Sequence, residues 1–254
     1  MWLAAGLFLL LLGLPIVAVL WRTLTVGGLD SAIRQPLVVN AAVLTMVTCS
    51  VAVLISFTLG TPLAFLLARQ SFPGKSVVES LTTLPLVLPP LVAGVALLMA
   101  FGRRGLLGDQ LAAVGVSLPF TSAAVVLAQV FVAGPFYLRS AKVAFAAIPL
   151  EVEEAAAMNG ASGWLAFRYI TMPLSRRGII AGLVLCAARA ASEFGATLMF
   201  AGNIAGKTQT MSLAIESAIE SNLSAALALS TLLVLAAAGA LLLLQYLGRG
   251  QPVI

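Results

Sequence analysis

The sequence predicts an all-α integral membrane protein with about six transmembrane helices. Of its 254 residues, 61% are hydrophobic and only 9% are charged, whereas soluble domains carry roughly 25% charged residues. The apolar runs are continuous and rich in Leu, Ala and Val, without the alternation typical of a β-strand. Only helices or closed barrels satisfy all backbone polar groups in lipid, so these continuous runs indicate helices.

Six apolar runs are candidate spans, close to or longer than the roughly 20 residues that cross a bilayer. They are residues 3–20, 38–67, 81–101, 121–138, 178–200 and 224–246. The second run is long enough to tilt in the bilayer or to protrude from it. The first run could alternatively be a signal peptide. Against that, no Lys or Arg precedes it, and it exceeds the usual apolar region of about 7–15 residues.

The basic residues between the spans predict the orientation of the chain, because Lys and Arg favour cytoplasmic loops. The larger group comprises Arg69, Lys75, Arg139, Lys142, Arg168, Arg176, Arg177 and Arg249. The smaller group comprises Arg22, Arg34, Arg103, Arg104 and Lys207. This bias predicts a multi-pass protein of the cytoplasmic membrane with both termini in the cytoplasm. It divides the chain into a first helix with an extracytoplasmic loop (1–37), a transmembrane domain (38–246) and a cytoplasmic tail (247–254).

Composition also argues against several classes of function. The net charge is +5, but the basic residues are scattered in short loops, so nucleic acid is not an expected partner. The chain has no histidine, and its two cysteines, Cys49 and Cys186, both lie in apolar runs. Asp30 and Asp109 stand alone, so a catalytic or metal-binding constellation is hard to assemble. We therefore expect no catalytic residue, no metal site and no cofactor bound by this chain.

Residues 201–208, AGNIAGKT, come close to a phosphate-binding loop. That pattern requires Gly, four residues and then Gly-Lys-Ser/Thr. Gly206, Lys207 and Thr208 fit, but Ala201 occupies the position of the first glycine. The segment also follows a spanning helix instead of a strand, and its predicted side is the one where ATP is absent. We therefore expect no nucleotide site here, which would leave ATP hydrolysis to a separate subunit.

The connection between the fourth and fifth predicted spans is the longest and most charged in the chain. Its centre, 150–159, is rich in Glu and Ala, with Pro149 before it and Gly160 after it, which is typical of a helix start and stop. Acidic residues occupy the first turns, where the helix dipole favours anions: Glu151, Glu153 and Glu154. The pattern predicts a short amphipathic cytoplasmic helix. A second short segment is predicted over 162–170, ending near Pro173.

This connection resembles the signature of the permeases of binding-protein-dependent ABC importers. The signature is Glu-Ala-Ala, three residues, Gly, nine residues, Ile, one residue and Leu-Pro, and here Met172 replaces the Leu. The matching residues are Glu154, Ala155, Ala156, Gly160, Ile170 and Pro173. The resemblance implies a coupling helix that docks into a groove on the ATPase subunit, with Glu153 available for charge pairing. The alternative is a generic solvated helix between two spans.

Further segments resemble one branch of that family, the molybdate, tungstate and sulfate permeases. They are LPLVLPPLVAGVALLMAFGRRGLLG, TSAAVVLAQVFVAGPF and, at 192–215, SEFGATLMFAGNIAGKTQTMSLAI. Ala205 and Ser217 depart from that pattern, where Pro and Tyr are usual, which weakens the choice among the three oxyanions. The resemblance implies a type I ABC importer domain over 38–246 and ATP-driven import of a tetrahedral oxyanion. Molybdate is the favoured substrate, and sulfate and tungstate are the alternatives.

The same resemblance implies a set of partners for the chain. They are a second copy of itself in a homodimer, two cytoplasmic ABC ATPase subunits that hold ATP and Mg, and an extracytoplasmic oxyanion-binding protein. Selectivity in such systems resides mainly in the binding protein. We therefore expect only a weak cavity in this chain, lined by neutral donors, or else residues that merely cap turns: Ser192, Thr197, Asn203, Thr208 and Thr210.

Two features inside the spans are unusual for a bilayer. Arg189 and Glu193 lie four residues apart in the fifth span, where ionised groups cost roughly 2.5–3.5 kcal/mol each. They are either a structural ion pair or a gate for the anion. The third span contains Pro85, Pro89 and Pro90, and proline bends helices. Such a bend is either a simple kink or a functional break beside a water-filled cavity.

Two other classes of membrane protein fit the sequence less well. A secondary transporter needs a coupling-ion site, usually built from intramembrane acids in paired repeats, and only Glu193 meets that requirement. An intramembrane enzyme needs a constellation of catalytic groups that this sequence does not contain.

Overall fold

The computed structural model describes residues 1–26 and 29–248. In chain order its α-helices are α1 Trp2–Val26, α2 Leu29–Ile33, α3 Pro36–Arg69, α4 Lys75–Val87, α5 Pro90–Phe101, α6 Gly108–Ala113, α7 Ser122–Ala146, α8 Leu150–Met158, α9 Gly163–Ala166, α10 Met172–Ala191, α11 Gly195–Ala201, α12 Met211–Ala218 and α13 Leu223–Gly248. A π-helical turn, Phe167–Thr171, joins α9 to α10. These residues contain helices and no strand, which confirms the all-α prediction. The predicted tail, 247–254, begins within the last turn of α13, and its residues 249–254 lie outside the described residues.

Among the described residues, five helices are long and apolar enough to cross a membrane. They are Trp2–Val26, Pro36–Arg69, Ser122–Ala146, Gly163–Ala191 and Leu223–Leu247. Five of the six predicted spans therefore have a counterpart, and most of the helices extend beyond the predicted bounds. The fourth span was predicted to end at residue 138, but its helix continues to Ala146.

The third predicted span, 81–101, is not one continuous helix. It is divided between α4 and the short apolar helix α5, with Leu88 and Pro89 in extended conformation between them. The cause is the pair Pro89–Pro90, because a residue that precedes proline is disfavoured in the helical region. Pro90 then occupies the first turn of α5, where the missing N–H costs no hydrogen bond.

The fifth predicted span, 178–200, is wrong at both ends. Its helix ends at Ala191, and α11 begins anew at Gly195. The Glu193 carboxylate accepts a hydrogen bond from the Ala196 N–H at 2.8 Å, which satisfies a donor that the start of a helix leaves free. Residues 192–194 thus form a break, which we call the 192–194 break.

The second segment of the predicted loop was also expected to end near Pro173, and this is wrong. The helical path runs from Gly163 to Ala191 without interruption. At the π-helical turn the Met172 N–H donates to the carbonyl of Phe167, five residues earlier. This wider turn precedes Pro173, which has no N–H to donate, so the proline sits in the first turn of α10.

The core forms where α3, α7 and α10 pack side by side around Tyr137, Phe145 and Cys186. A second buried cluster joins α5, α7 and α11, and a third joins α3, α12 and α13. The helix α1 lies against α13, where the hydroxyl oxygens of Thr23 and Thr231 are 2.9 Å apart. Most other side chains of α1 are exposed apolar groups, which is compatible with a surface that faces lipid.

Candidate functional site

The predicted coupling helix is present as α8, Leu150–Met158, and it buries none of its residues. Gly160 follows it with a φ of +84°, the left-handed conformation that glycine adopts at low cost after a helix. The Ser162 hydroxyl then accepts a hydrogen bond from the Leu165 N–H and caps α9. The start, the stop and the glycine turn of this helix therefore agree with the sequence prediction.

Most residues of the loop between α7 and α10, residues 147–171, are exposed. They include Glu154 and Ala155 of the signature, with Ala156 and Ile170 half-buried and Pro173 exposed at the start of α10. Large apolar and aromatic side chains accompany them, and several are more than half exposed: Leu150, Met158, Trp164 and Tyr169. An exposed apolar surface of this kind is typical of a protein-binding site.

Glu153 points the other way, toward the membrane helices of its own chain. One of its carboxylate oxygens, Oε1, lies 2.8 Å from Nη2 of Arg69, the last residue of α3. The same oxygen accepts a hydrogen bond of 2.8 Å from the Thr171 hydroxyl. Arg69 also donates to the carbonyl of Ile148, just before α8, at 3.1 Å. We call these contacts the Arg69–Glu153–Thr171 cluster.

Aromatic rings pack near this cluster and connect the loop to α3 and α7. The ring of Phe167 lies 4.9 Å from that of Phe65 in α3 and 6.1 Å from that of Phe145 in α7, between centroids. Trp164 stacks on Phe167 at 5.7 Å. Such aromatic pairs contribute about 0.5–1.5 kcal/mol each beyond the area that they bury. The second half of the loop is therefore fixed to the helical core by packing.

A second ion pair at this end of the molecule involves α4 and α7. Nζ of Lys142 lies 2.7 Å from Oε1 of Glu79. Both side chains are about one-third exposed, at 34% and 35%, whereas those of Arg69 and Glu153 are 9% and 19% exposed. Among the described residues neither side chain forms a hydrogen bond or ion pair with α8, so this pair is a suitable control for the Arg69–Glu153 pair.

Arg189 and Glu193 form an ion pair at the 192–194 break. Nη2 of Arg189 lies 2.7 Å from Oε2 of Glu193, and the Glu193 side chain is only 1% exposed. The other carboxylate oxygen receives the Ala196 N–H. One oxygen of this buried carboxylate therefore accepts a hydrogen bond, whereas Oε2 has the Arg189 charge beside it but no hydrogen bond from the described residues. Such pairing is what a carboxylate requires in a medium of low dielectric.

The two helix breaks meet in space. A Cβ atom on Gly195, at the start of α11, would lie 2.7 Å from Cβ of Pro90, at the start of α5, so a larger residue would clash. Residues from both breaks line a cavity of about 310 Å³, including Pro90, Leu91, Arg189 and Ser192. Irregular backbone is tolerated at membrane depth where it is buried in protein or lines a cavity, and residues 192–194 line this cavity.

The five polar residues predicted to line a weak cavity do not share either of the two cavities beside the 192–194 break. Ser192 lines the 310 Å³ cavity and a mostly apolar cavity of about 590 Å³ between α3, α10 and α13, whereas the other four line neither. Thr208 accepts from the Ile204 N–H and donates to the Gly202 carbonyl. Asn203 donates to the Ser217 hydroxyl at 2.8 Å. These contacts fit the alternative, in which the residues cap turns.

Thr197 and Thr210 complete that set, and both are buried. Thr210 precedes α12 and Thr197 lies within α11. Neither hydroxyl has a hydrogen-bond partner among the described residues.

The sequence reasoning missed three residues that the structure makes prominent. Arg69 was seen only as a basic loop residue and Thr171 not at all, because their contact with Glu153 joins separate parts of the chain. Gln129, in the middle of α7, is 1% exposed and donates to Sγ of Cys49 and to the carbonyl of Ala190. A polar residue in an apolar run was the available signal for Gln129.

Residues 60–250 of the chain match a protein family described as "Binding-protein-dependent transport system inner membrane component". This match includes α8, the π-helical turn and both helix breaks. It covers most of the chain, and within it lie all the residues predicted to couple to an ATPase or to line a pathway.

Several relatives are similar along most of their length. The molybdenum transport system permease protein ModB of Escherichia coli K12 is 41% identical over 182 residues, which are 71% of this chain and 80% of the relative. ModB of Mycobacterium tuberculosis is 42% identical over 206 residues, 81% of this chain and 78% of the relative. A probable molybdenum ABC transporter permease protein of Haloferax volcanii is 39% identical over 249 residues, 97% of this chain and 88% of the relative.

Solved structures share the fold at lower identity. A chain of a bacterial alginate ABC transporter in complex with its periplasmic protein superimposes with a TM-score of 0.72 and 16% identity, covering 98% of this chain and 91% of that one. A chain of the MetNI methionine ABC transporter in inward-facing conformations gives 0.61 and 19% identity, covering 84% and 94%. At these identities the likeness establishes the arrangement of helices and nothing about substrate.

Proposed function

Because this chain belongs to the family of binding-protein-dependent transport system inner membrane components, we propose that it is the permease subunit of an ATP-driven importer of molybdate. The chain is a multi-pass transport subunit of the inner membrane and not an enzyme. ATP and Mg would be held by a separate ATPase subunit, and we expect no cofactor on this chain.

The observation that carries the proposal is the loop between α7 and α10. It presents an exposed helix, a glycine turn at Gly160 and an exposed apolar surface. Glu154 and Ala155 are exposed on that helix, as a contact with an ATPase groove requires. Gly160 and Pro173 of the signature are also exposed, which supports a contact between this loop and a partner.

We expect the complex to contain two copies of this chain, two ATPase subunits and an extracytoplasmic oxyanion-binding protein. ATP binding would close the ATPase pair, draw the two α8 helices together and open the permease toward the binding protein. Hydrolysis would reset it toward the cytoplasm. This scheme requires both termini and the loop between α7 and α10 on the cytoplasmic side, as the distribution of Lys and Arg predicts.

Molybdate is the proposed substrate because relatives named as molybdenum permeases are about 40% identical to most of this chain. Tungstate and sulfate are tetrahedral dianions of related shape, so they are the relevant competitors. The five polar residues predicted to line a pathway do not share a cavity at the 192–194 break, which supports a division of labour in which the binding protein selects the oxyanion.

Along the pathway, we propose that the 192–194 break and the facing break at Leu88–Pro89 form the narrow part of the permease. Ser192 and Arg189 line the cavity between them. The Arg189 side chain is 26% exposed, and its ion pair with the buried Glu193 would hold the shape of this break.

The test is uptake of radiolabelled molybdate by proteoliposomes that contain this chain, its ATPase and its binding protein. We expect uptake that requires ATP and that excess unlabelled molybdate or tungstate suppresses. Uptake driven by an ion gradient without ATP would overturn the importer assignment. Competition by sulfate as strong as that by molybdate would overturn the substrate assignment.

A further inference from the structure

The Arg69–Glu153–Thr171 cluster joins three separate segments of the chain. Arg69 ends α3, Glu153 lies in α8 and Thr171 ends the π-helical turn before α10. Arg69 and Glu153 are 84 residues apart along the chain. One carboxylate oxygen receives a donor from each side, at 2.8 Å in both cases. The cluster is therefore a direct polar link from α8 to two membrane-spanning helices.

The helix α8 has few other attachments to the helical core. It buries none of its residues, so no apolar packing of its own fixes its position. Pro149 and Gly160 bound it on either side, and the glycine has the left-handed conformation of a chain reversal. A helix of 9 residues is also too short to be stable by itself. Its orientation thus depends on Glu153.

The burial of this cluster distinguishes it from an ordinary surface ion pair. The side chains of Arg69 and Glu153 are 9% and 19% exposed, and Thr171 is fully buried. Exposed pairs contribute little because water and salt screen them. Truncation of one partner of a largely buried pair leaves the other charge without compensation, so removal of either charge should have a measurable effect.

We propose that the Arg69–Glu153–Thr171 cluster is a latch that makes α8 move as one body with the end of α3 and the start of α10. Its residues are positioning residues: Glu153 faces the chain's own helices and does not contact the ATPase. A displacement of α8 by a closing ATPase pair then moves α3 and α10 together. This inference rests on the proposed function, because it presupposes that α8 receives its motion from an ATPase.

The experiment compares transport with hydrolysis in the reconstituted complex of permease, ATPase and binding protein. The variants are Arg69→Ala, Glu153→Ala and the double variant, with Glu79→Ala and Lys142→Ala as matched controls at the other ion pair. Three quantities are measured for each: the amount of ATPase that copurifies, the rate of ATP hydrolysis and the molybdate imported per ATP hydrolysed.

We expect Arg69→Ala and Glu153→Ala each to lower import per ATP about tenfold, the scale of a typical coupling between sites. Copurification of the ATPase should remain at the wild-type level, because Glu153 does not face it. The double variant should be no worse than either single variant, since both break the same link. The controls should stay within about twofold of wild type.

Conservative variants keep the test decisive if an alanine variant folds poorly. Glu153→Gln retains an acceptor for the Thr171 hydroxyl, and Thr171→Val removes that hydroxyl without changing the ion pair. Each should lower import per ATP about threefold, as loss of one hydrogen bond or of one charge predicts. A folding defect alone would reduce import and hydrolysis in proportion and leave their ratio unchanged.

Two results would overturn the latch. One is import per ATP within about twofold of wild type in both single variants. The other is loss of ATPase copurification in Glu153→Ala but not in Arg69→Ala, which would make Glu153 a direct ATPase contact. Failure of the proposed function is distinguishable, because in that case the wild-type complex itself would import no molybdate when supplied with ATP.

Discussion

The Arg69–Glu153 pair beside α8 and the Arg189–Glu193 pair at the 192–194 break have almost the same N–O distance, 2.8 Å and 2.7 Å. Their surroundings differ. The first joins residues 84 apart and adds a hydroxyl from a third segment. The second joins residues four apart, and its carboxylate also receives a backbone N–H of α11.

This difference indicates different roles for the two pairs. The pair beside α8 connects elements that could otherwise move separately, so its loss should change how motion passes between them. The pair at the break satisfies a buried carboxylate within one stretch of chain, so its loss should first change folding. The predictions below test this division, from the largest expected effect to the smallest.

Gly160→Leu should abolish ATP-dependent molybdate uptake while leaving membrane insertion intact. A non-glycine residue at a φ of +84° costs about 1–2 kcal/mol, and a chain reversal altered here displaces α8. Gly74 is a matched control, because it has the same φ and similarly open surroundings but lies before α4. Uptake assays on the two leucine variants should separate them, and normal uptake by Gly160→Leu would refute the coupling role of the loop.

Arg189→Ala should lower the yield of folded protein several-fold, because the 1%-exposed Glu193 side chain loses its counter-charge at a cost of about 3–5 kcal/mol. Transport per folded molecule should change less than yield. Size-exclusion profiles in detergent, compared with uptake per molecule, measure both quantities. Adding Glu193→Gln should recover part of the yield. Reduced transport at normal yield would instead identify Arg189 as a gate for the anion.

Thr208→Val should lower thermal stability by about 1–3 kcal/mol, because the buried hydroxyl both accepts from Ile204 and donates to Gly202. Transport per folded molecule should be unchanged if the residue only caps this turn. Thr58→Val is the control, since its exposed hydroxyl bonds only within α3. Impaired transport by Thr208→Val at normal stability would instead indicate that Thr208 lines the translocation pathway.

Glu79→Gln should have the smallest effect. The Lys142–Glu79 pair is about one-third exposed on both sides, and exposed pairs contribute little to stability. We expect the midpoint of thermal unfolding and the uptake of molybdate to match those of wild type within experimental error. A loss of uptake comparable to that of Glu153→Ala would show that the link between α4 and α7 also carries the motion.

The sequence predicted the loop between α7 and α10 well because its information is local. Spacing, a preceding proline and a following glycine define α8 within a few residues, and the structure places it at Leu150–Met158. The inward direction of Glu153 could not be predicted, because it depends on Arg69, at the end of a helix far away in the chain. Local patterns do not encode contacts between residues so distant.

The pathway region was predicted less well for the same reason. The prolines located the break in the third span, but the break at 192–194 has no proline and depends on the side chain of Glu193 capping α11. The end predicted near Pro173 was wrong because the preceding π-helical turn adjusts the backbone to the proline. In the first case the Ala196 N–H bond to Glu193 starts a new helix within an apolar run. In the second the Met172 N–H bond to the Phe167 carbonyl lets the helix continue past a proline.

The π-helical turn Phe167–Thr171 also fixes the rotation of the preceding loop about the axis of α10. A π-helical turn holds one residue more than an α-helical turn of the same height, and each residue of an α-helix turns the chain by about 100°. Deletion of a single residue here would produce a regular helix and rotate the preceding part of the loop by about that angle relative to α10. Side chains now facing Arg69 would then face solvent. The one additional residue in this turn thus determines the orientation of the loop about the axis of α10.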